Sequence, residues 1–204
     1  MRLRIRTLAW IGLAATMSAC SIGGLLGGGA KAPTTLQTLT TEAADPGAIA
    51  RTAAAGQAVT IAVPTVPKEL QTVRVPVQLS PTDVQYVTNL QWVDTPDRLF
   101  QHLLAETVRR TTNRVVLNPE QSGLDPGLVL NGQLDRFGYD AQTGQVVVVY
   151  DGALSTAAGN QVETRRFTAS APADGTGPSV GPALNRAANQ VAAEIASWIG
   201  SHGA

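Results

Sequence analysis

Between Asp94 and Asn113 the chain repeats its hydrophobic residues at intervals of three and four, so that Leu99, Phe100, Leu103, Leu104 and Val108 fall on one stripe. That period belongs to an amphipathic helix. Asp94 or Thr95 stands where it would be capped, Pro96 in its first turn, and Arg109 and Arg110 in its last, where the helix dipole favours cations. A second stripe of Val180, Leu184, Ala188, Val191, Ile195 and Trp198 predicts a closing helix over residues 179–199. Ser179 is its expected N-cap and Gly200 its expected end, while Ala187, Ala192 and Ala196 permit close approach to a sheet. Elsewhere the period drops to two, with β-branched and aromatic runs bounded by proline, glycine and asparagine. Strands are expected at residues 35–41, 58–63, in the run from 70 to 93, and at 114–117, 128–139, 145–154 and 160–170, with "DAQTG" turning between two of them. Strands, helix, strands, helix in that order predict an α+β fold: one mixed or antiparallel sheet with two amphipathic helices packed on a face.

The first residues follow a different plan. "MRLRIR" is basic, "TLAWIGLAATM" is apolar and uncharged, and "SAC" is small, which is the layout of a secretory signal peptide. The apolar part, residues 8–17, is about half of the 18 or more residues that a membrane-spanning helix requires. "MSAC" resembles the lipobox of bacterial lipoproteins, with Ser18 and Ala19 before Cys20 and Met17 where leucine is usual. The resemblance implies cleavage before Cys20, a diacylglyceryl group on its thiol and an acylated new amino terminus. Ser21, rather than aspartate, in the following position implies the inner leaflet of the outer membrane, facing the periplasm, over the inner membrane. "SIGGLLGGGAKAPTT" then reads as a flexible glycine-rich tether. The expected organisation is a signal peptide at 1–19, lipidated Cys20 and tether at 20–33, one domain at 34–200 and a tail at 201–204.

Composition removes several functions. The 204 residues carry 15 basic and 15 acidic side chains, and cleavage would leave 12 against 15, a mildly acidic surface without attraction for nucleic acid. Cys20 is the only cysteine, which excludes an internal disulfide and a thiolate metal site. Carboxylates are scattered singly, and no metal or cofactor is expected. Of the two histidines, His202 falls in the tail, and His102 has Glu106 four residues on, a spacing that describes a solvated helix face as well as an acid–base pair. "GPSVG" imitates a nucleophile elbow but precedes a helix. No enzyme is expected. Among the scarce aromatics, Trp198 belongs to the inward stripe, whereas Tyr86 and Trp92 lie near a strand end before a helix, where they can line a groove for a partner or ligand.

The run "VQYVTNLQWVDTPDRLFQHLLAETVRRT", residues 84–111, resembles the auxiliary lipoproteins of ABC-type lipid transporters, the PqiC-like group. Tyr86, Trp92, Pro96, Leu99, Leu103 and Leu104 occupy the matching places. "LVLNGQLDRFGYD" and "VGPALNRAANQVAAEIASWI" are similar to the group's central strand and closing helix. The opening "TTLQTLTTE" departs from the group's tyrosine-containing first strand. The resemblance implies a non-catalytic accessory or docking subunit, anchored to the membrane through Cys20, that works with an MCE-domain protein, a permease and an ATPase to move lipid between membranes, and it leaves a homo-oligomer open. Two alternatives remain: a lipoprotein that itself binds a lipid or hydrophobic ligand, and a general envelope assembly factor.

Overall fold

The computed structural model describes residues 35–48, 50–54, 56–121, 123, 127–156 and 161–202. The signal peptide, Cys20, the glycine-rich stretch and the "AAGN" turn lie outside them. In chain order the elements are β1 (Val59–Ile61), β2 (Arg74–Gln78), β3 (Val84–Gln91), α1 (Pro96–Thr111), β4 (Val116–Leu117), β5 (Leu128–Asp140), β6 (Gln145–Thr156), β7 (Val162–Pro172) and α2 (Gly177–Ser201).

The seven strands form one mixed sheet, as expected from the order of elements. β5, β6 and β7 are a long antiparallel meander. The other edge of β5 is shared: its beginning pairs in parallel with β1, which pairs in parallel with β4, and its end pairs in parallel with β2, the antiparallel partner of β3. The β5–β6 turn is drawn tight by Asp140, whose carboxylate accepts the Gln142 and Thr143 N–H groups at 3.0 and 3.2 Å. Gly144 closes it at φ 65°, a left-handed conformation that disfavours a Cβ.

Both helices cover one face of this sheet and pack on each other. α1 inserts Leu99, Phe100, Leu103, Leu104 and Val108, and α2 inserts Val180, Leu184, Ala188, Val191, Ile195 and Trp198, all buried as their spacing requires. They meet Leu130, Leu134, Phe137, Val146, Val148, Tyr150 and Phe167 from the sheet. Removing each such large side chain from water stabilises the fold by about 1.5–3 kcal/mol. Gly132 and Gly152 face each other across β5 and β6 beneath this layer. A Cβ on Gly132 would lie 2.4 Å from the Tyr150 ring, and one on Gly152 would lie 3.2 Å from Trp198. A side chain at either position would crowd these aromatics.

Beyond shifts of one or a few residues at strand ends, the first segment and the last helix differ from the sequence reading. Residues 35–41 form no strand: Gln37 makes a single parallel bridge to Trp92, and the chain then continues as a strap across α2. The Thr40 and Glu42 N–H groups donate to the side-chain oxygens of Asn185 and Asn189 at 2.8 and 2.7 Å, and Asn189 donates back to the Thr40 carbonyl at 2.8 Å. α2 begins two residues before Ser179, with Thr176 as its N-cap residue, and runs through Gly200 to Ser201. Ser179 Oγ instead accepts the Asp174 N–H, while Asp174 accepts the N–H and hydroxyl of Thr176, so an aspartate-centred turn organises the helix entry.

Candidate functional site

β3 holds Tyr86 and leads directly into Trp92, the two aromatics singled out in the sequence, and its geometry separates them. Pairing with β2 jumps from Pro76 opposite Tyr86 to Arg74 opposite Gln91, so five steps on β3 face two on β2. The surplus is taken up around Asn89, at φ 56°, a left-handed position that asparagine tolerates better than most residues. Val87, Leu90 and Trp92 turn into the core. Trp92 is 1% exposed, and its ring lies 5.7 Å from that of Phe137. Its indole N–H has no hydrogen-bond partner among the described residues.

Tyr86 stays at the surface, half-buried. The Arg74 guanidinium stacks 4.1 Å from its ring centre, and its hydroxyl approaches the Glu69 carbonyl at 3.5 Å. Such a cation–π contact is worth about 0.5–1 kcal/mol at an exposed site. Val84, two residues earlier on β3, and Leu79, at the turn into it, are 40% and 39% exposed. At the other end of the strand Val93 and Leu36, beside the Gln37–Trp92 bridge, are each 52% exposed. The β2–β3 hairpin thus presents apolar side chains at both ends, with a cation-covered tyrosine between them. The strap enters the domain at the same edge, where Gln37 N–H donates to Gln91 O at 2.8 Å and Val93 N–H to Gln37 O at 2.9 Å. The sequence marked Tyr86 and Trp92 but did not mark Leu79, Val84, Leu36 and Val93. The exposed valines and leucines look like ordinary strand residues until their pairing is known.

The other polar groups singled out in the sequence lie away from this hairpin. His102 is exposed on α1, and Glu106 turns the other way, bonding Arg109 at 3.1 Å and Arg110 at 2.7 Å. Those arginines hold the Glu106 carboxyl below its ordinary range, against the opposing effect of burial. His202, read from the sequence as part of a tail, closes α2 onto β7. Its Nδ1 lies 2.8 Å from the Trp198 carbonyl and its Nε2 lies 2.8 Å from Glu163, which also accepts the Trp198 indole N–H at 2.7 Å. On the sheet face opposite the helices, Arg166 bridges Asp135 and Asp151. Its hydrogen bond lowers the Asp151 pKa, while desolvation and the neighbouring Asp151 raise that of Asp135. Among the described residues no three His, Cys, Asp or Glu side chains come together in a way that could hold a metal ion. No helix among them is long and apolar enough to cross a membrane.

This arrangement of sheet, helices and hairpin carries the sequence of a known family: residues 38–196 match the family model described as the ABC-type transport auxiliary lipoprotein component, and the chain belongs to that family. The fold recurs in solved structures. The protein XCC0632 from Xanthomonas campestris, of the DUF330 family, is similar over 83% of this chain and 93% of its own, at 17% identity and a TM-score of 0.63. An uncharacterized protein matches over 74% of this chain and 96% of its own, at 18% identity and a TM-score of 0.61. At these identities the likeness is one of fold. No curated protein matches the chain in sequence.

Proposed function

We propose that the protein is a lipid-anchored docking subunit of an ABC-type lipid transport system, held in the periplasm at the outer membrane through Cys20 and joined to an MCE-domain protein that works with a permease and an ATPase. Membership in the transport auxiliary lipoprotein family supports the general role. The lipobox-like "MSAC" and Ser21 support the anchor and its membrane. The observation that carries docking over carriage is the state of the sheet–helix layer. Phe100, Phe137, Tyr150 and Phe167 fill it at 0–1% exposure, leaving no room there for an acyl chain. The β2–β3 hairpin, with Leu79, Val84 and Tyr86 outward, is the surface we assign to the protein partner.

Photocrosslinking in cells from positions 79, 84 and 86 tests this assignment. An MCE-domain protein should be captured, whereas capture of outer-membrane barrel components alone would sink the docking reading and favour an envelope assembly factor. Mass spectrometry of the purified full chain separates the remaining alternative, because stoichiometric lipid retained after delipidation would identify a carrier.

A further inference from the structure

Beneath the strap the molecule buries polar side chains where its interior is otherwise apolar. Four polar residues are buried among the described residues, Thr60, Gln101, Thr107 and Asn189, and the last two lie under the strap and bond it. Residues 35–43 contain no buried residue of their own, and Leu39 is their one hydrophobic side chain packed against the core. Hydrogen bonds therefore hold this segment more than apolar burial does. Two backbone bonds join Gln37 to Gln91 and Val93, and Asn185 and Asn189 hold Thr40 and Glu42. The Thr41 and Thr107 hydroxyls meet at 3.1 Å, and Arg110 donates to the Ala43 carbonyl at 2.9 Å.

Three of the groups underneath keep a partner on their own helix when the strap leaves. Asn189 retains the Asn185 carbonyl at 2.8 Å, Thr107 the Leu103 carbonyl at 2.8 Å, and Arg110 the Glu106 carboxylate at 2.7 Å. Water takes the vacated positions at little net cost, because folding had exchanged water bonds for protein ones. Ordering the strap costs backbone entropy at each residue, and little buried apolar surface offsets it. Segments of this kind open at a fraction of the free energy of global unfolding. The bonds also stand in series along the chain. A pull from before Thr35 meets the Gln37 bridge first and the side-chain bonds at Thr40 to Ala43 afterwards, so they break singly instead of together.

We infer that the strap is a releasable length of chain, which peels from α1 and α2 while the sheet and both helices remain folded. Residues 35–43 then lengthen the segment before the domain by about 30 Å of extended chain. The release stands on the contacts alone, whereas its use as spare tether rests on the anchor at Cys20. Under tension between membrane and partner, the strap yields before the core does.

Thiol labelling of the full chain reads the release. In a C20A background, T107C places the only thiol beneath the strap, at a position 2% exposed, and A188C places it in the core at 0%. Without urea, T107C should react with a maleimide at least about a hundredfold faster than A188C. Adding N189A should accelerate T107C about threefold or more. Circular dichroism confirms that each variant is folded. A T107C rate as slow as that of A188C, or one unmoved by N189A, would overturn the release. The use as tether is read in cells. The chain lacking Gly23 to Ala32 is expected to lose partner capture at positions 79, 84 and 86, and N185A/N189A added to it should restore capture, because the freed strap nearly replaces the length removed. Capture that stays lost would overturn the strap as spare tether. Capture undiminished by the deletion alone would overturn the tether reading, and this use with it, while the labelling would still decide the release.

Discussion

At the scale of single residues, the fold depends on places where a side chain is missing as much as on those where one is present. Gly132 is the sharpest case, because an added methyl would sit 2.4 Å from Tyr150 and 2.5 Å from the Asp151 carbonyl oxygen. The backbone oxygen cannot swing away, so the β5–β6 ladder itself must shift. G132A is expected to destabilise the domain by about 1–3 kcal/mol, the usual cost of overpacking, read as a lower urea midpoint. Asn189 is a second such residue. It is 7% exposed and satisfies Glu42 N–H, Thr40 C=O and the Asn185 carbonyl. In N189A two strap groups lose their partners to water, which costs about 0.5–1.5 kcal/mol per hydrogen bond. Faster amide exchange at Thr40 and Glu42 than at core strand amides would locate the damage in the strap, whereas uniform acceleration would contradict the role given to Asn189.

Among the elements, the end of α2 carries a pH-dependent latch. A carbonyl only accepts, so His202 Nδ1–H must donate to Trp198 O, and Nε2 can donate to Glu163 only when the imidazole is protonated. The carbonyl bond, followed by Glu163, raises the His202 pKa above its ordinary 6.5. The latch's contribution is fully present below 6.5 and is lost as pH rises through the higher folded value. Glu163, lowered by His202 and Trp198 from 4.5, sets the acid limit. His202 should therefore titrate above 6.5 by NMR, and H202Q should flatten the decline in melting temperature as pH rises above 6.5. A titration at or below 6.5 would refute the latch. The sequence placed His202 in a tail because one-dimensional position says nothing about Glu163, 39 residues away. It placed the helices and the β5–β6–β7 meander well, because each buries one face and their periodicity records it. It misread residues 35–41 as a strand because only Gln37 pairs with the sheet, while Thr40 is held by asparagine side chains on α2, an interaction without period. It grouped Tyr86 with Trp92 because both lie near a strand end before a helix, whereas the left-handed Asn89 between them leaves Tyr86 at the surface and Trp92 in the core.

For the molecule as a whole, the anchor and the partner surface must be compatible. The strap enters the domain beside Trp92, among Leu36 and Val93, on the same hairpin as the surface assigned to the partner but at its opposite end. A glycine-rich linker of about 14 residues has a root-mean-square reach of roughly 20 Å. We propose that this length lets the partner dock without being pressed against the membrane while keeping it at a high local concentration. Two variants separate the steps. C20A should release the protein from the membrane fraction while leaving the melting temperature of the domain unchanged. Deletion of Gly23 to Ala32 should keep the protein membrane-bound and folded, yet lose capture of the partner at positions 79, 84 and 86, because the shortened linker can no longer present that edge. Full activity after the deletion would show that reach is not what the glycine-rich segment provides, and continued membrane association of C20A would remove the anchor from Cys20 altogether.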